Sequence, residues 1–434
     1  MTTDTAIARV HARRVWDSRG RPTLEAEVLL AGGARGRAMA PAGASRGDHE
    51  AIDLRDGGTA FGGLDVTRAA DHVDGEIARR LAGMDATDQA AVDAALIALD
   101  GTPVKSRLGG NATIAVSMAV LHAAAAAHGQ PLWAWIAADR AVRLPLPEIQ
   151  IFGGGAHAGR RVDIQDFMVM PLGARSFAQA LDMVAEVYRA AGALMQAGGR
   201  LQGVADEGGY WPAFDSNEEG LTLLVRAIEQ AGFTPGDEVA ISLDVAASQF
   251  GRGGRYTLGL EGRTLDRDGM IDLLLGWCRR YPIASIEDPL AQDDPEGMRA
   301  FTAAAGHRLQ VIGDDFLVTS AERVRDAART GACNAVLVKP NQAGTVTETL
   351  AACEAGIGAG FGTIVSARSG ETEDTTIVHL ATGWNAGQLK VGSFARSERM
   401  CKWNEALRLE EALEGRGRFA GREVLPPGAG RPLS

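Results

Sequence analysis

The sequence predicts an α/β fold in which a smaller N-terminal α+β domain caps a C-terminal β/α barrel. Beyond residue 140, short apolar runs repeatedly end in a charged residue, and helical patterns lie between them. Such continuous apolar runs are typical of parallel strands that are buried on both faces. Two prolines, Pro145 and Pro147, interrupt the preceding helical region and mark the boundary. We therefore predict domains at residues 1–140 and 141–434.

The elements of the predicted N-terminal domain follow in order along the chain. Alternating apolar and polar residues over 7–30 predict two strands joined by a turn. Residues 41–50 are rich in small side chains and predict a long loop, a kind of segment that often carries function. Helical patterns then dominate residues 66–137.

The strands of the predicted barrel are recognised by the charged residue that follows each apolar run. Helical patterns lie between them, as at 321–330 and 345–359. Because the carboxyl ends of barrel strands form one active-site mouth, we expect the charged residues to converge there. The predicted strands are 239–243 before Asp244, 284–286 before Glu287, 309–313 before Asp314, 335–338 before Lys339, 363–365 before Arg368 and 388–389 before Lys390.

Carboxylates and lysines share this predicted mouth. Any single aspartate after a strand fits equally well as the N-cap of the next helix. Asp244, Glu287 and Asp314 together would repel one another unless a cation lay between them. Oxygen ligands suit a hard divalent cation, so the pattern predicts a metal site.

Composition excludes several classes of protein. The chain has 434 residues and a net charge of −11, which argues against a protein that neutralises nucleic-acid phosphates. Its four cysteines show no CxxC spacing, so they predict neither a zinc site nor a secreted disulfide framework. We find neither an apolar run of about 18 residues nor an export signal, so we expect a cytoplasmic protein without a membrane span.

Several segments resemble the signatures of the enolase family, in the family's order. The resemblance extends from about residue 10 to about residue 413. It implies an enolase-type barrel and a homodimer or higher homo-oligomer. The segments are 17–23 (DSRGRPT), 43–45 (GAS), 206–209 (DEGG), 285–289 (SIEDP), 313–315 (GDD), 339–342 (KPNQ) and 369–375 (SGETEDT).

The resemblance also implies a magnesium-dependent chemistry. Removing a proton α to a carboxylate creates a dianion, which requires dense positive charge at the carboxylate oxygens. By resemblance, Asp244, Glu287 and Asp314 hold a first Mg²⁺, and Ser45 helps to hold a second. The other implied roles are Lys339 as the base, Glu207 as the general acid, His157 as an active-site histidine, Lys390 as the ligand of the substrate carboxylate, and Arg368 with Ser369 as the phosphate grip.

Some positions depart from the family pattern. Asp166 stands where enolases have glutamate, so its carboxylate lies back by about 1.5 Å, one carbon–carbon bond. Ala367 stands where they have histidine, and losing a positioned proton donor typically costs about 10²–10⁴ in rate. Arg160 and Arg161 follow His157 and predict either a solvated face or extra positive charge at the substrate site.

These departures favour a changed reaction on a small anionic phosphorylated three-carbon acid. The favoured hypothesis is a carboxyphosphonoenolpyruvate synthase of phosphonate antibiotic biosynthesis, which transfers a phosphonoformyl group from a cytidine nucleotide donor. In that hypothesis Ala367, Arg160 and Arg161 make room and charge for a bulkier phosphorus group. One alternative is phosphopyruvate hydratase, which interconverts 2-phosphoglycerate and phosphoenolpyruvate. Another is a former enolase that serves as a binding or structural protein.

Overall fold

The computed structural model describes residues 4–44 and 46–433. Ser45, which the sequence predicts as a magnesium ligand, lies outside the described residues.

The N-terminal part is a three-stranded antiparallel sheet covered by helices. The strands lie in the order β1-β2-β3. Only two strands were predicted, because β3 (sequence RGRAM) has no apolar run and depends on its pairing with β2. The elements are β1 (Ile7–Trp16), β2 (Pro22–Leu30), β3 (Arg35–Met39), α1 (Thr67–His72), α2 (Ala78–Leu81), α3 (Gln89–Asp100), α4 (Gly110–Ala127) and α5 (Leu132–Ala137).

Helix α4 forms the centre of this part of the molecule. It packs so closely on β3 that a Cβ at Gly36 would lie 2.0 Å from the carbonyl oxygen of Ala119. Glycine is therefore required at this crossing. By length and composition α4 could span a membrane, but 83% of the window is buried within the structure, as in the core helix of a folded domain.

The C-terminal part contains a closed barrel of eight strands among the described residues, which confirms the predicted fold class. Around the barrel the strands lie in the order β11-β12-β13-β14-β15-β5-β6-β7, and a small sheet, β10-β9-β8, lies outside it. The strands are β4 (Arg143–Leu144), β5 (Leu146–Gly153), β6 (Asp166–Met170), β7 (Ala240–Asp244), β8 (Gly251–Arg252), β9 (Arg255–Leu258), β10 (Arg263–Asp266), β11 (Ile283–Glu287), β12 (Gln310–Gly313), β13 (Ala335–Val338), β14 (Gly362–Ser366), β15 (Gly387–Ser393) and β16 (Arg418–Phe419).

Helices join most of the barrel strands on the outside. Helix α10 has the predicted bounds, and α12 lies within one residue of its predicted bounds at each end. The helices are α6 (Phe177–Ala197), α7 (Asn217–Gln230), α8 (Arg267–Arg280), α9 (Pro295–Ala305), α10 (Ala321–Thr330), α11 (Pro340–Ala343), α12 (Val346–Gly358), α13 (Thr376–Gly383) and α14 (Ser397–Ala412).

Strand β6 runs against its neighbours. It pairs antiparallel with both β5 and β7, whereas the other neighbouring barrel strands are parallel. Its first residue, Asp166, therefore lies opposite Asp244, the last residue of β7. The reversal brings Asp166 to the same mouth as the carboxyl ends of the other strands.

A polar layer fills the barrel below this mouth. Because alternate residues of a strand share a face, Ser242, Ser285 and Gln388 lie under Asp244, Glu287 and Lys390. The Gln388 amide donates to Gln310 Oε1 at 2.7 Å. The layer also holds a carboxyl group, Glu148, which is fully buried.

Candidate active site

A small polar pocket with a cavity volume of about 20 Å³ lies at the mouth of the barrel. It contains both residues predicted to transfer protons, Lys339 and Glu207. Ala367, which stands where the family has histidine, also lines it. The lining residues are His157, Gln165, Asp166, Glu207, Asp244, Lys339, Ser366, Ala367, Arg368, Ser369, Lys390, Val391 and Gly392.

The three predicted metal ligands come from neighbouring strand ends and contact the two lysines. Lys390 Nζ lies 2.9 Å from Asp244 Oδ2 and 2.8 Å from Glu287 Oε2. Lys339 Nζ donates a hydrogen bond to Asp314 Oδ2. Charges of opposite sign are thus packed together at one buried mouth.

The chemistry of Glu287 fits a cation ligand. Its Oε1 atom is buried and has no hydrogen-bond partner among the described residues. Burial, together with the charges of Asp244 and Asp314, raises the pKa of Glu287 well above its usual value. A bound cation would satisfy this oxygen and relieve the repulsion.

Two compact groups of possible metal ligands lie at the same mouth, and one of them includes Asp314. In the first, carboxylate oxygens of Asp288, Asp314 and Asp315 lie within 4.8 Å of one another. Asp288 accepts the backbone N–H groups of Asp314 and Asp315 at 2.9 and 2.7 Å, so it fixes the loop after β12. Burial and the charge of Asp314 raise the pKa of Asp315 to about 8. The second group is His157, Asp166 and Glu207; Asp244 and Glu287 belong to neither.

His157 connects the predicted general acid to Asp166. Its Nδ1 lies 3.0 Å from Asp166 Oδ1, and its Nε2 lies 2.9 Å from Ser369 Oγ and 3.6 Å from Glu207 Oε1. Burial lowers the pKa of His157, but the carboxylates of Glu207 and Asp166 outweigh it and raise the pKa above its usual value. The shorter Asp166 side chain thus reaches His157, and its carboxylate favours the protonated ring.

Arg368 lies in the loop after β14 and is almost fully buried. Its guanidinium donates to Glu50 Oε2 and to Asn341 Oδ1, each at 2.9 Å. Arg368 thus forms a structural ion pair while it also lines the pocket. The next residue back, Ala367, donates its backbone N–H to the carbonyl of Lys390 at 2.9 Å.

Arg160 and Arg161 are not brought into the pocket. Arg160 is exposed and lines a separate cavity with Gln249 and Phe250, and Arg161 is half-buried. A contribution of these two residues to substrate binding stays a prediction.

Several functional candidates were missed by sequence reasoning. Gln165 donates to Asp244 Oδ2 at 2.9 Å, and Gln342 donates to Asp314 Oδ1 at 2.9 Å. Gln342 ends the KPNQ segment, so its signal was available. Asp288 lies in the SIEDP segment, so the sequence offered the same kind of signal for it. Glu50 offered none, because its role depends on contacts across the fold.

Comparison with known proteins identifies the family. Residues 7–136 match the family model "Enolase, N-terminal domain", and residues 141–427 match "Enolase, C-terminal TIM barrel domain". The chain belongs to the enolase family. It is 48% identical to "Enolase 1" of Desulfitobacterium hafniense (strain Y51) over 422 residues, which cover 96% of this chain and 97% of that protein.

The prediction of a carboxyphosphonoenolpyruvate synthase is wrong. The similarity to Enolase 1 extends over nearly the whole of both chains and supports the hydratase alternative. The structure also weakens the reasoning, because Asp166 still contacts His157 and the two arginines lie outside the pocket. A phosphonoformyl transfer, a role in phosphonate or antibiotic biosynthesis and a cytidine nucleotide donor have no support.

Proposed function

We propose that this protein is a phosphopyruvate hydratase that interconverts 2-phosphoglycerate and phosphoenolpyruvate in the cytoplasm, as a homodimer or higher homo-oligomer. The observation that carries the proposal is the 48% identity to Enolase 1 over 96% of the chain. The presence of a lysine and a glutamate, Lys339 and Glu207, in one buried pocket supports it.

Magnesium fits the carboxylates at the mouth. Asp244, Glu287 and Asp314 would hold one Mg²⁺, and Ser45 would help to hold a second. The bound ions would supply positive charge to the carboxylate of the substrate, which stabilises the dianion formed by proton removal.

Lys339 acts as the base that removes the proton from C2 and must therefore be neutral. Burial lowers its pKa, but the carboxylate of Asp314 outweighs burial and holds the pKa above its usual value. When Asp314 serves as a metal ligand, its charge is shared and this effect is weaker. Burial and the cations of Arg368 and Lys390 then favour the neutral amine.

Glu207 acts as the general acid that protonates the leaving hydroxyl group. With alanine at 367, a titratable side chain that remains near Glu207 is His157, whose Nε2 lies 3.6 Å from Glu207 Oε1. We assign it the role of returning a proton to Glu207 after each turnover, with Asp166 holding the ring in place.

Two cationic side chains and one hydroxyl group bind the two ends of the substrate. Lys390 takes its carboxylate, and Arg368 with Ser369 takes its phosphate. A guanidinium suits this role because its planar fork bonds two phosphate oxygens at once.

The test is to mix the purified protein with 2-phosphoglycerate and Mg²⁺ and to follow phosphoenolpyruvate by its ultraviolet absorbance. We expect turnover in the usual enzyme range of about 1–10³ per second. Lys339→Met is the matched control and should be inactive but folded. A folded wild-type protein that forms no phosphoenolpyruvate would contradict the proposal. Absence of Mg²⁺ binding by calorimetry would point instead to the binding-protein alternative.

A further inference from the structure

Arg399 is a buried cation that lies behind the pocket rather than in it. It belongs to α14 and is 0% exposed. Its Nη1 donates to the carbonyl oxygens of Arg368 and Val391 at 2.7 and 2.8 Å, and its Nη2 donates to that of Ser369 at 2.6 Å. A single guanidinium thus holds three carbonyls from two segments of the active site.

We propose that Arg399 is a positioning residue that sets the phosphate-binding segment, Arg368 and Ser369, against the end of β15, which carries Lys390. This inference rests on the proposed function, because it assigns those residues to the two ends of the substrate.

The strand ladder alone does not extend to these residues. The pairing of β14 with β15 runs as far as Ser366 opposite Lys390, and the last bond beyond it joins Ala367 N to the carbonyl of Lys390. Beyond this bond, Arg399 bridges the segment after β14 and strand β15. The distance between the phosphate grip and the carboxylate ligand therefore depends on this side chain.

Arg399 also packs toward the general acid. Gly392 has a φ of 114°, and a Cβ there would lie 3.0 Å from Arg399 Cδ and 3.1 Å from Glu207 Cβ. Ser393 N donates to the carbonyl of Glu207 at 3.0 Å. Glycine at 392 thus lets Arg399 and the Glu207 segment approach from either side.

Electrostatics favour a functional role over a purely structural one. Arg399 Nε lies 3.5 Å from Glu398 Oε1, whereas both Nη atoms donate to neutral carbonyls. A buried charge held in this way is costly to desolvate, and an apolar side chain of similar size often gives equal or greater stability. Carbonyls that accept from Arg399 are directed toward α14, so their partial negative charge is kept away from an anionic substrate. The cation itself adds positive potential behind the phosphate site.

The experiment compares Arg399→Lys and Arg399→Met with the wild type. A misplacement of about 1 Å can cost about 100-fold in rate, so we expect kcat/KM for 2-phosphoglycerate to fall by about that factor in R399M. We expect most of the loss to appear as a raised KM, with R399K recovering part of it. The affinity for inorganic phosphate, measured by calorimetry, should fall in parallel.

Leu409→Ala is the control for lost stability, because Leu409 is buried in the same helix. It should lower the melting temperature and leave KM unchanged. Wild-type KM and phosphate affinity in R399M would overturn the inference. If R399M does not fold, the same result in R399K would overturn it. Failure of the proposed function shows differently, as a wild-type protein without turnover, and phosphate affinity still tests Arg399 in that case.

Discussion

Replacing Glu148 with glutamine should stabilise the protein in a pH-dependent way. Glu148 is fully buried inside the barrel, where it accepts from Ser242 Oγ at 3.2 Å and Gln310 Nε2 at 3.4 Å. Burial raises its pKa from 4.5 to about 7, although Lys390 acts in the opposite direction. Glutamine has nearly the same shape and cannot ionise, so it isolates the cost of the charge.

The direction of this pH dependence follows from the number of protons that the folded and unfolded states bind. Because the pKa of Glu148 is higher in the folded state, the folded protein binds more protons between pH 4.5 and about 7. The contribution of Glu148 to the free energy of unfolding is therefore most favourable below pH 4.5 and falls as the pH rises through this window. The rise in the pKa from 4.5 to about 7 corresponds to a loss of about 3 kcal/mol in the free energy of unfolding above pH 7.

Urea unfolding at pH 5 and pH 8 tests this reasoning. We expect E148Q to be more stable than the wild type by about 1 kcal/mol at pH 5 and by about 3 kcal/mol at pH 8. Glu229→Gln is the control, because Glu229 is exposed and the substitution removes the same carboxyl group without releasing it from burial. An equal gain at both pH values, or a loss at pH 8, would refute the explanation.

Three further predictions concern the acid, the metal and the core. Glu207→Gln should lower kcat by about 10²–10⁴ with little change in melting temperature, and an unchanged kcat would exclude Glu207 as the acid. A chelator should abolish phosphoenolpyruvate formation, and added Mg²⁺ should restore it. Activity that survives chelation would contradict the metal assignment. Calorimetry with Mg²⁺ then tests whether two ions bind. Tyr256→Phe removes a buried hydroxyl that donates to Asp294 Oδ2 at 2.8 Å and accepts from Ala291 N at 3.2 Å. It should cost about 1–3 kcal/mol in urea unfolding, and wild-type stability would show that these bonds are dispensable.

The barrel could be predicted where its strands carry continuous apolar sequence. Strands β7, β11, β12 and β13 were recognised for this reason. Strand β5 was not, because Pro147, Glu148 and Gln150 interrupt its sequence and are buried only by the closed barrel. Strand β6 was not predicted either, and its direction could not have been, since a local pattern of side chains is the same in either direction. The boundary between residues 140 and 141 stays a prediction.

The site was predictable in its composition but not in its contacts. The sequence placed Lys339, Glu207 and Lys390 at one mouth, and all three line the pocket. It could not show that Arg368 pairs with Glu50, because the two residues meet only through the tertiary fold. The hypothesis of a changed reaction gave Ala367 too much weight. One substituted side chain is weaker evidence about the reaction than 48% identity over 96% of the chain.

The reversal of β6 has a further consequence for how this mouth can vary. After β12, β13, β14 and β15, the active-site loop leads from a strand into a helix, so its length is limited by packing on the outer layer. Residues 154–165 instead connect two antiparallel strands directly across the opening, and they carry His157. The hairpin is also tied to the start of α7, because Asp163 N donates to Asn217 Oδ1 at 2.8 Å. A change in its length should therefore move the rim and His157 together, whereas the strand ends that carry Asp244, Glu287 and Lys390 belong to other elements.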